Sequence, residues 1–174
     1  ELGNGDVINF TGELSRVAGE TVSGGPFAIE STLANPNYTI TYVPATLSIT
    51  ELAVTVTVTS NQSKVYGAVD PAFAYTSAPA IGDVLANGES ISFTGILARA
   101  TGEQVGSSYA INQGDLANTN YAITFVPANF SITQLPVTVT ASAGQTKVYG
   151  SLDTAFAYTS SPAVGGVLEN GATI

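Results

Sequence analysis

The chain has 174 residues, a formal net charge of −9 and a hydrophobic content of 44%, enough to build a folded core. Only four residues are basic, and Cys, Met, Trp and His are absent. This composition excludes disulfides and thiolate metal sites, and it argues against nucleic acid and anionic membranes as partners, because both require clustered Lys or Arg.

The sequence repeats itself at an interval of 83 residues. The segment YTITYVPATLSIT at 38–50 returns as YAITFVPANFSIT at 121–133. The motif L-x-N-G occurs three times at this spacing, at 2–5, 85–88 and 168–171. The basic residues follow the same interval, which pairs Lys64 with Lys147 and Arg16 with Arg99. A fixed long period of this kind is the signature of a repeat architecture.

The repeat divides the chain into three segments. After the junction between two repeats, the residues that favour a strand begin near Leu52. Residues 52–134 are therefore interpreted as one complete repeat. Residues 1–51 are then the back part of a repeat, and residues 135–174 are the front part of another. Part of a repeat cannot bury its apolar strand faces. We therefore expect neighbouring copies or repeats of the same protein, arranged head to tail, to complete these segments.

Residue patterns along the chain predict β-structure throughout. In AVTVTVTS at 53–60, Val alternates with Thr, which places the valines on one face of a strand. Val126-Pro127-Ala128 is interpreted as a short hairpin connection, and Asn87-Gly88 as a turn, because both of its residues tolerate a positive φ. The predicted strands of the complete repeat lie near 53–59, 72–77, 91–98, 107–112, 121–126 and 129–134.

These strands predict an all-β fold of tandem antiparallel, β-sandwich-like repeats. Successive repeats are joined through only Gln134-Leu135-Pro136, a link too short for a free hinge. We therefore expect the repeats to stack end to end in an elongated, semi-rigid rod.

A family resemblance rests on an ordered set of motifs that spans the whole chain. The order is VTVT, KVYG, FAYT, NG, L-x-R-x-x-GE, YAI, LAN-x-NY, ITFVPA and SIT. This order resembles the MBG domain, a mostly-β, glycine-rich domain, in its Tyr-Gly type. One departure is that YGAVDP becomes YGSLDT, which replaces the proline by Thr154. The resemblance implies tandem arrays in large bacterial surface or secreted proteins, often adhesin-like, and it carries no catalytic residues.

The lysines have a structural interpretation and a chemical one. In the structural interpretation, the stem of Lys64 packs beside Tyr66 and its ammonium group meets Asp70. Gly67 follows in the same Tyr-Gly turn, and the equivalent residues of the next repeat are Lys147, Tyr149, Gly150 and Asp153. The alternative is an intramolecular Lys–Asn isopeptide bond to Asn118 or Asn120, which intact mass tests because each bond removes one ammonia.

The arginines and acids suggest a clamp more than a reactive site. Arg99 with Glu103, like Arg16 with Glu20, brackets a glycine and predicts a loop clamp, the alternative being an anchor for a partner. No D-x-D-x-D-G loop is present, so we expect no cofactor, although calcium at a domain junction stays an alternative.

Three classes of function remain after these observations. The favoured one is a structural spacer or filament building block in a large bacterial cell-surface or extracellular fibre, a location that the absence of thiols also suits. The second is an adhesin module that binds a ligand or glycan through its aromatic residues. Enzyme activity is not expected, because without His or Cys a nucleophile would need Ser, Thr or Tyr with a Lys or carboxylate base.

Overall fold

A computed structural model describes residues 2–3 and 5–174 of the chain. This part of the chain contains twelve β-strands, one three-residue 3-10 turn at Val22–Gly24, and no α-helix. The all-β fold class predicted from the sequence is confirmed.

The chain packs as two compact units. The first comprises Glu1–Val54 and Ala117–Thr124, and the second comprises Thr55–Leu116 and Phe125–Ile174. These units follow packing, whereas the segments 1–51, 52–134 and 135–174 follow the sequence repeat. The repeat boundaries therefore stay a prediction.

The first unit is built around a small antiparallel sheet. Its strands are β1 (Leu14–Arg16), β2 (Phe27–Ser31) and β3 (Thr46–Leu47), in the order β1-β2-β3. Asn120 joins two other parts of the unit: its side-chain oxygen accepts from the Val22 amide at 3.0 Å, and its carbonyl accepts from the Leu52 amide at 2.9 Å.

The other strands are β4 (Leu52–Val58), β5 (Ser63–Val65), β6 (Tyr75–Ala78), β7 (Ala98–Arg99), β8 (Gly106–Asn112), β9 (Tyr121–Val126), β10 (Ala128–Thr133), β11 (Thr138–Ala141) and β12 (Tyr158–Ser161). They form a four-stranded sheet β5-β10-β8-β7, a three-stranded sheet β6-β4-β9 and a two-stranded sheet β11-β12. The alternation of β4 is as predicted, because Val54, Val56 and Val58 are buried whereas Thr57 and Thr59 are exposed.

The core of the second unit is apolar. Its buried hydrophobic residues are Val56, Val58, Ile91, Leu97, Ile111, Leu116, Phe130 and Ile132. The ring of Phe130 is fully buried and meets the ring of Phe73 edge to face, with centroids 5.4 Å apart. The Phe130 ring also lies 5.5 Å from the guanidinium carbon of Arg99.

Two strand predictions were wrong. The strand predicted at 91–98 is reduced to Ala98–Arg99, because Gly95 at φ +77° turns the chain. A Cβ at Gly95 would lie 2.2 Å from the carbonyl oxygen of Asp115, so the local backbone is not extended. The strand Ser63–Val65 was not predicted, because three residues are too short for a periodic pattern to show.

Two connectivity predictions were also wrong. β5 pairs with β10 in parallel, so the four-stranded sheet is mixed and not purely antiparallel. Pro127 separates β9 from β10, but these strands belong to different sheets. The V-P-A segment is therefore a crossing between sheets and not a hairpin. The predicted Asn87-Gly88 turn is present, with Gly88 at φ +87°.

Candidate functional site

Four charged side chains of the second unit converge on one place. Lys64 lies on β5 and Arg99 on β7, the two outer strands of the four-stranded sheet. Asp70 lies in the loop after β5, and Glu103 lies in the loop between β7 and β8. We call these four residues the charge cluster.

Each basic group of the charge cluster contacts both acids. The Lys64 ammonium lies 2.7 Å from Asp70 Oδ1 and 2.7 Å from Glu103 Oε2. The Arg99 guanidinium donates from Nε to Asp70 Oδ2 at 2.7 Å and from Nη2 to Asp70 Oδ1 at 3.0 Å. Its Nη2 also donates to Glu103 Oε1. Two positive and two negative charges therefore neutralise one another within the cluster.

The remaining donor group and the flat face of Arg99 are also used. Its Nη1 donates to the carbonyls of Ala100 at 3.0 Å and Gly102 at 2.6 Å. Its guanidinium carbon lies 5.2 Å from the ring centre of Tyr109 and 5.5 Å from that of Phe130. A planar guanidinium suits this combined hydrogen bonding and stacking better than an ammonium group. Arg99 is therefore the organising residue of the cluster.

The conformation and contacts of Gly102 explain why the L-x-R-x-x-GE motif has a glycine at this position. It has φ +137°, and a Cβ added there would lie 2.5 Å from the Tyr109 ring. Gly19 has the equivalent relation to Phe27 in the other copy of the motif, at 2.2 Å. Only glycine allows the loop carbonyl to reach the arginine while the loop passes this close to an aromatic ring.

The charges are unequally exposed to solvent. The side chains of Lys64 and Arg99 are 4% and 6% exposed, whereas those of Asp70 and Glu103 are 36% and 44% exposed. The basic groups are thus buried and depend on the two acids for compensation, while the acids keep part of their hydration. Removing a basic group is therefore expected to be less costly than it would be in a fully dry ion pair.

The sequence predicted the pairs of the cluster but not their union. Lys64 meets Asp70, and Arg99 meets Glu103 across four residues, as expected. The two pairs also share partners, which the sequence did not reveal. One signal was available: the complete repeat carries two basic residues, and Asp70 and Glu103 are acids with equivalents in another repeat.

The flanking copies contain half of the arrangement each. Arg16 contacts Glu20 in the first unit, with the Arg16 side chain 27% exposed. Lys147 contacts Asp153 at 2.6 Å, with the Lys147 side chain 51% exposed. The first pair is equivalent to Arg99 with Glu103, and the second is equivalent to Lys64 with Asp70.

The two Tyr-Gly turns differ in burial. Tyr66 is half-buried and Gly67 is buried, whereas Tyr149 and Gly150 are exposed. Asn170 donates from its side chain to Glu103 Oε2 at 3.1 Å, which connects the cluster to the next sequence repeat. This asparagine was not among the predicted site residues, because only tertiary structure brings it near Glu103.

The pKa values of the cluster all shift toward the charged forms. Hydrogen bonds from Arg99 lower the pKa of Asp70, and the hydrogen bond from Lys64 lowers the pKa of Glu103. Burial by itself would lower the pKa of Lys64, but its bonds to Asp70 and Glu103 outweigh burial and raise that pKa. At neutral pH all four groups are therefore ionised.

This result bears on the isopeptide hypothesis. A Lys64 nucleophile would have to be the neutral amine, whereas two carboxylates stabilise the ammonium form. The side-chain oxygens of Asn118 and Asn120 accept backbone N–H groups of Asn120 and Val22. Nothing in these contacts favours the reaction, and intact mass remains its test.

We expect a pH dependence of stability from these shifts. The carboxylates contribute stability in full above their unfolded-state pKa values, 3.8 for Asp70 and 4.5 for Glu103. That contribution is lost as the pH falls through the lower folded-state values. The Lys64 contribution is present below 10.5 and is lost as the pH rises through its raised folded-state pKa.

The measurement is urea unfolding across a pH series, followed by tyrosine fluorescence. The variant Arg99→Met is the control, because it removes the main cause of the Asp70 shift, and its acid limb is expected to be shallower. Identical acid limbs for the two proteins would show that the cluster does not produce the dependence.

A groove of about 840 Å³ runs beside the cluster. It is bordered by Asp70, Phe73, Tyr75 and the segment 95–103. In the described part of the chain, no group of three or more acidic residues is arranged to hold a metal ion. The same residues include no helix long and apolar enough to cross a membrane.

These features define the chain as an all-β protein of repeated sequence with an internally neutralised charge cluster in its second unit. The family model of the MBG domain (YGX type) matches residues 1–48 and 54–131. The match covers more than half of the chain, so the chain belongs to this family, and the resemblance identified from the motifs is confirmed. No curated protein and no solved structure matches the chain.

Proposed function

We propose that the chain is a structural repeat module of a large bacterial surface or extracellular fibre, where it acts as a spacer or filament building block. Membership of the MBG domain family supports a surface-protein repeat module. One structural observation carries the proposal further: apolar residues that are buried in the complete repeat have exposed equivalents in the flanking segments.

The contact between Phe73 and Phe130 shows this relation most directly. Phe130 is fully buried, but its repeat equivalent Leu47 is 43% exposed. Phe156, the equivalent of Phe73, is 71% exposed. Each segment thus presents one side of a contact that the complete repeat makes internally. Burial of these side chains by a neighbouring repeat would stabilise both segments by roughly 1–2 kcal/mol per residue.

The occupant that we propose is therefore a further repeat of the same sequence, packed head to tail. It is supplied either by the same protein or by another copy. Sedimentation of the purified chain distinguishes these sources, because completion between copies produces a concentration-dependent series of oligomers. A heterologous contact that does not close extends into a fibre.

Two features of the charge cluster support a structural role over catalysis. Its acids and bases bind each other, so they hold no poised proton donor or nucleophile. The pKa shifts also favour the ionised forms, whereas catalytic acids and bases need pKa values near the working pH. We therefore propose that the module has no enzyme activity.

The spacer proposal is tested by lengthening the chain. One and two further copies of residues 52–134 are inserted after residue 134, and each protein is measured by small-angle X-ray scattering. A semi-rigid stack predicts equal increments in maximum dimension with an unchanged cross-section. Increments that shrink with each added repeat would contradict it, since flexibly joined repeats extend less than linearly.

The groove beside the cluster gives the second candidate, binding of a ligand or glycan. Phe73 and Tyr75 border it and offer aromatic surface, and Asp70 offers a carboxylate. A glycan array separates the two functions, because a spacer gives no specific signal. A hit that is lost in a Tyr75→Ala variant that retains its fold would instead assign the groove to recognition.

A further inference from the structure

The Tyr-Gly turn of the complete repeat is in contact with the L-x-N-G turn of the following repeat, within the second unit. The Asn170 amide donates to the Gly67 carbonyl at 2.9 Å. The Asn170 side chain donates to Glu103 Oε2 at 3.1 Å. The Leu168 side chain lies against the Cα of Gly67, where an added Cβ would be 2.3 Å from Leu168 Cδ1.

The described residues of the three L-x-N-G turns make the same backbone hydrogen bonds. In each copy the amide of the motif's final glycine donates to the carbonyl of its leucine at 2.9 Å. The pairs are Gly171 with Leu168, Gly88 with Leu85, and Gly5 with Leu2. The leucine amides also donate across the turn, to Ala172, Glu89 and Asp6. Because these bonds lie within the turn, the turn is formed independently of what it contacts.

The second Tyr-Gly turn, at Tyr149-Gly150, has no leucine packed against its glycine. Gly150 has φ +84°, close to the +90° of Gly67, so the two glycines share one backbone conformation. A Cβ added at Gly150 would meet nothing within 4 Å, and Tyr149 is wholly exposed. The difference between the two glycines is therefore the presence of Leu168 and not the shape of the turn.

We propose that the Tyr-Gly turn of each repeat is the binding site for the L-x-N-G turn of the repeat that follows it. Leucine occupies the space that a Cβ would take, and asparagine bonds to the glycine carbonyl. The charge cluster positions Glu103 to accept the asparagine side chain. The glycine is thus required twice, for its positive φ and for contact with the next repeat.

This site deepens the proposed function, because it supplies the contact by which successive repeats are held in line. It also gives the charge cluster a task beyond stability. Glu103 accepts from Arg99 at Oε1, and at Oε2 it accepts from both Lys64 and Asn170. The cluster thereby couples the fold of one repeat to the position of the next.

The test compares two substitutions with the same backbone penalty. Gly67→Ala and Gly150→Ala both place alanine at a positive φ, but only Gly67→Ala clashes with Leu168. The readout is hydrogen–deuterium exchange of peptides covering 166–174 in the full chain, normalised to peptides of β8. We expect about tenfold faster exchange in Gly67→Ala and less than about twofold in Gly150→Ala.

A second variant keeps the test informative if Gly67→Ala lowers global stability. Leu168→Ala removes Cδ1 and Cγ, which would lie 2.3 and 2.9 Å from the added Cβ, and keeps only its own Cβ at 2.9 Å. The double variant Gly67→Ala/Leu168→Ala should therefore exceed the exchange rate of Leu168→Ala by well under the roughly tenfold increase of Gly67→Ala by itself. Leu85→Ala, the same change in an equivalent turn, is the control and should leave exchange at 166–174 unchanged.

Two results would overturn the docking site: equal effects of the two glycine substitutions, or a full Gly67→Ala effect that persists without Leu168. Either can occur while the scattering increments of the lengthened chains stay equal, in which case the repeats stack through other contacts. Conversely, a confirmed docking contact with shrinking increments would refute the rigid spacer and leave the turn contact standing.

Discussion

Arg99→Met is expected to destabilise the second unit by about 3 kcal/mol, which is a large part of the stability of a small domain. Methionine keeps much of the aliphatic bulk but removes every hydrogen bond of the guanidinium to Asp70, Glu103 and the loop carbonyls. It leaves the two acids with Lys64 as their shared basic partner. The estimate is at the low end for a broken buried ion pair, because both acids retain contact with water.

Arg16→Met is the matched control for this experiment. Arg16 has the same sequence context and lies 5.2 Å from the ring centre of Phe27, but it has one acidic partner and is 27% exposed. Its loss is expected to cost about 1 kcal/mol or less. Urea unfolding with tyrosine fluorescence measures both. Equal losses would show that the union of the two ion pairs adds nothing to the pairs themselves.

Phe130→Ala is expected to cost about 3–5 kcal/mol, the usual range for emptying the place of a buried aromatic ring. Phe130 is fully buried, packs against Phe73 at 5.4 Å and supports the Arg99 guanidinium at 5.5 Å. The substitution therefore removes core volume and one face of the charge cluster together. Thermal and urea unfolding measure the loss.

Leu47→Ala provides the comparison at the equivalent position of the preceding repeat. Leu47 is 43% exposed, so its truncation is expected to cost less than about 1 kcal/mol. Phe130→Leu, which places the residue of that repeat in the core, should cost about 1.5 kcal/mol. A Phe130→Ala loss as small as that of Leu47→Ala would show that the core does not depend on the aromatic pair.

Arg99→Met and Phe130→Ala can be combined in one variant, because the Arg99 guanidinium stacks on the Phe130 ring. If the ring supports the guanidinium, the double variant should lose less than the sum of the single losses, since neighbouring residues are not additive. Coupling of this kind would link the charge cluster to the core, and through Asn170 to the next repeat.

Much of the molecule was predictable from the order of residues. The 83-residue interval predicts which positions are equivalent, and the alternation of Val with Thr places Val54, Val56 and Val58 in the interior. The ordered motifs identified the family. These features depend on local geometry, since the two-residue period of a strand determines which side chains share a face. The ion pair of Arg99 with Glu103 is also local, being four residues apart.

The tertiary structure decided what joins these local features. Lys64 meets Glu103 across 39 positions, and Arg99 meets Asp70 across 29. The two acids lie in the loops after β5 and β7, so these contacts depend on the paths of the loops as well as on the sheet order. Neither strand length nor residue type shows that β5 runs parallel to β10, or that Leu168 lies against Gly67. Strand periodicity reports the face on which a side chain lies and is silent on the partner it meets. That partner depends on sheet order and loop path, which no short stretch of sequence specifies.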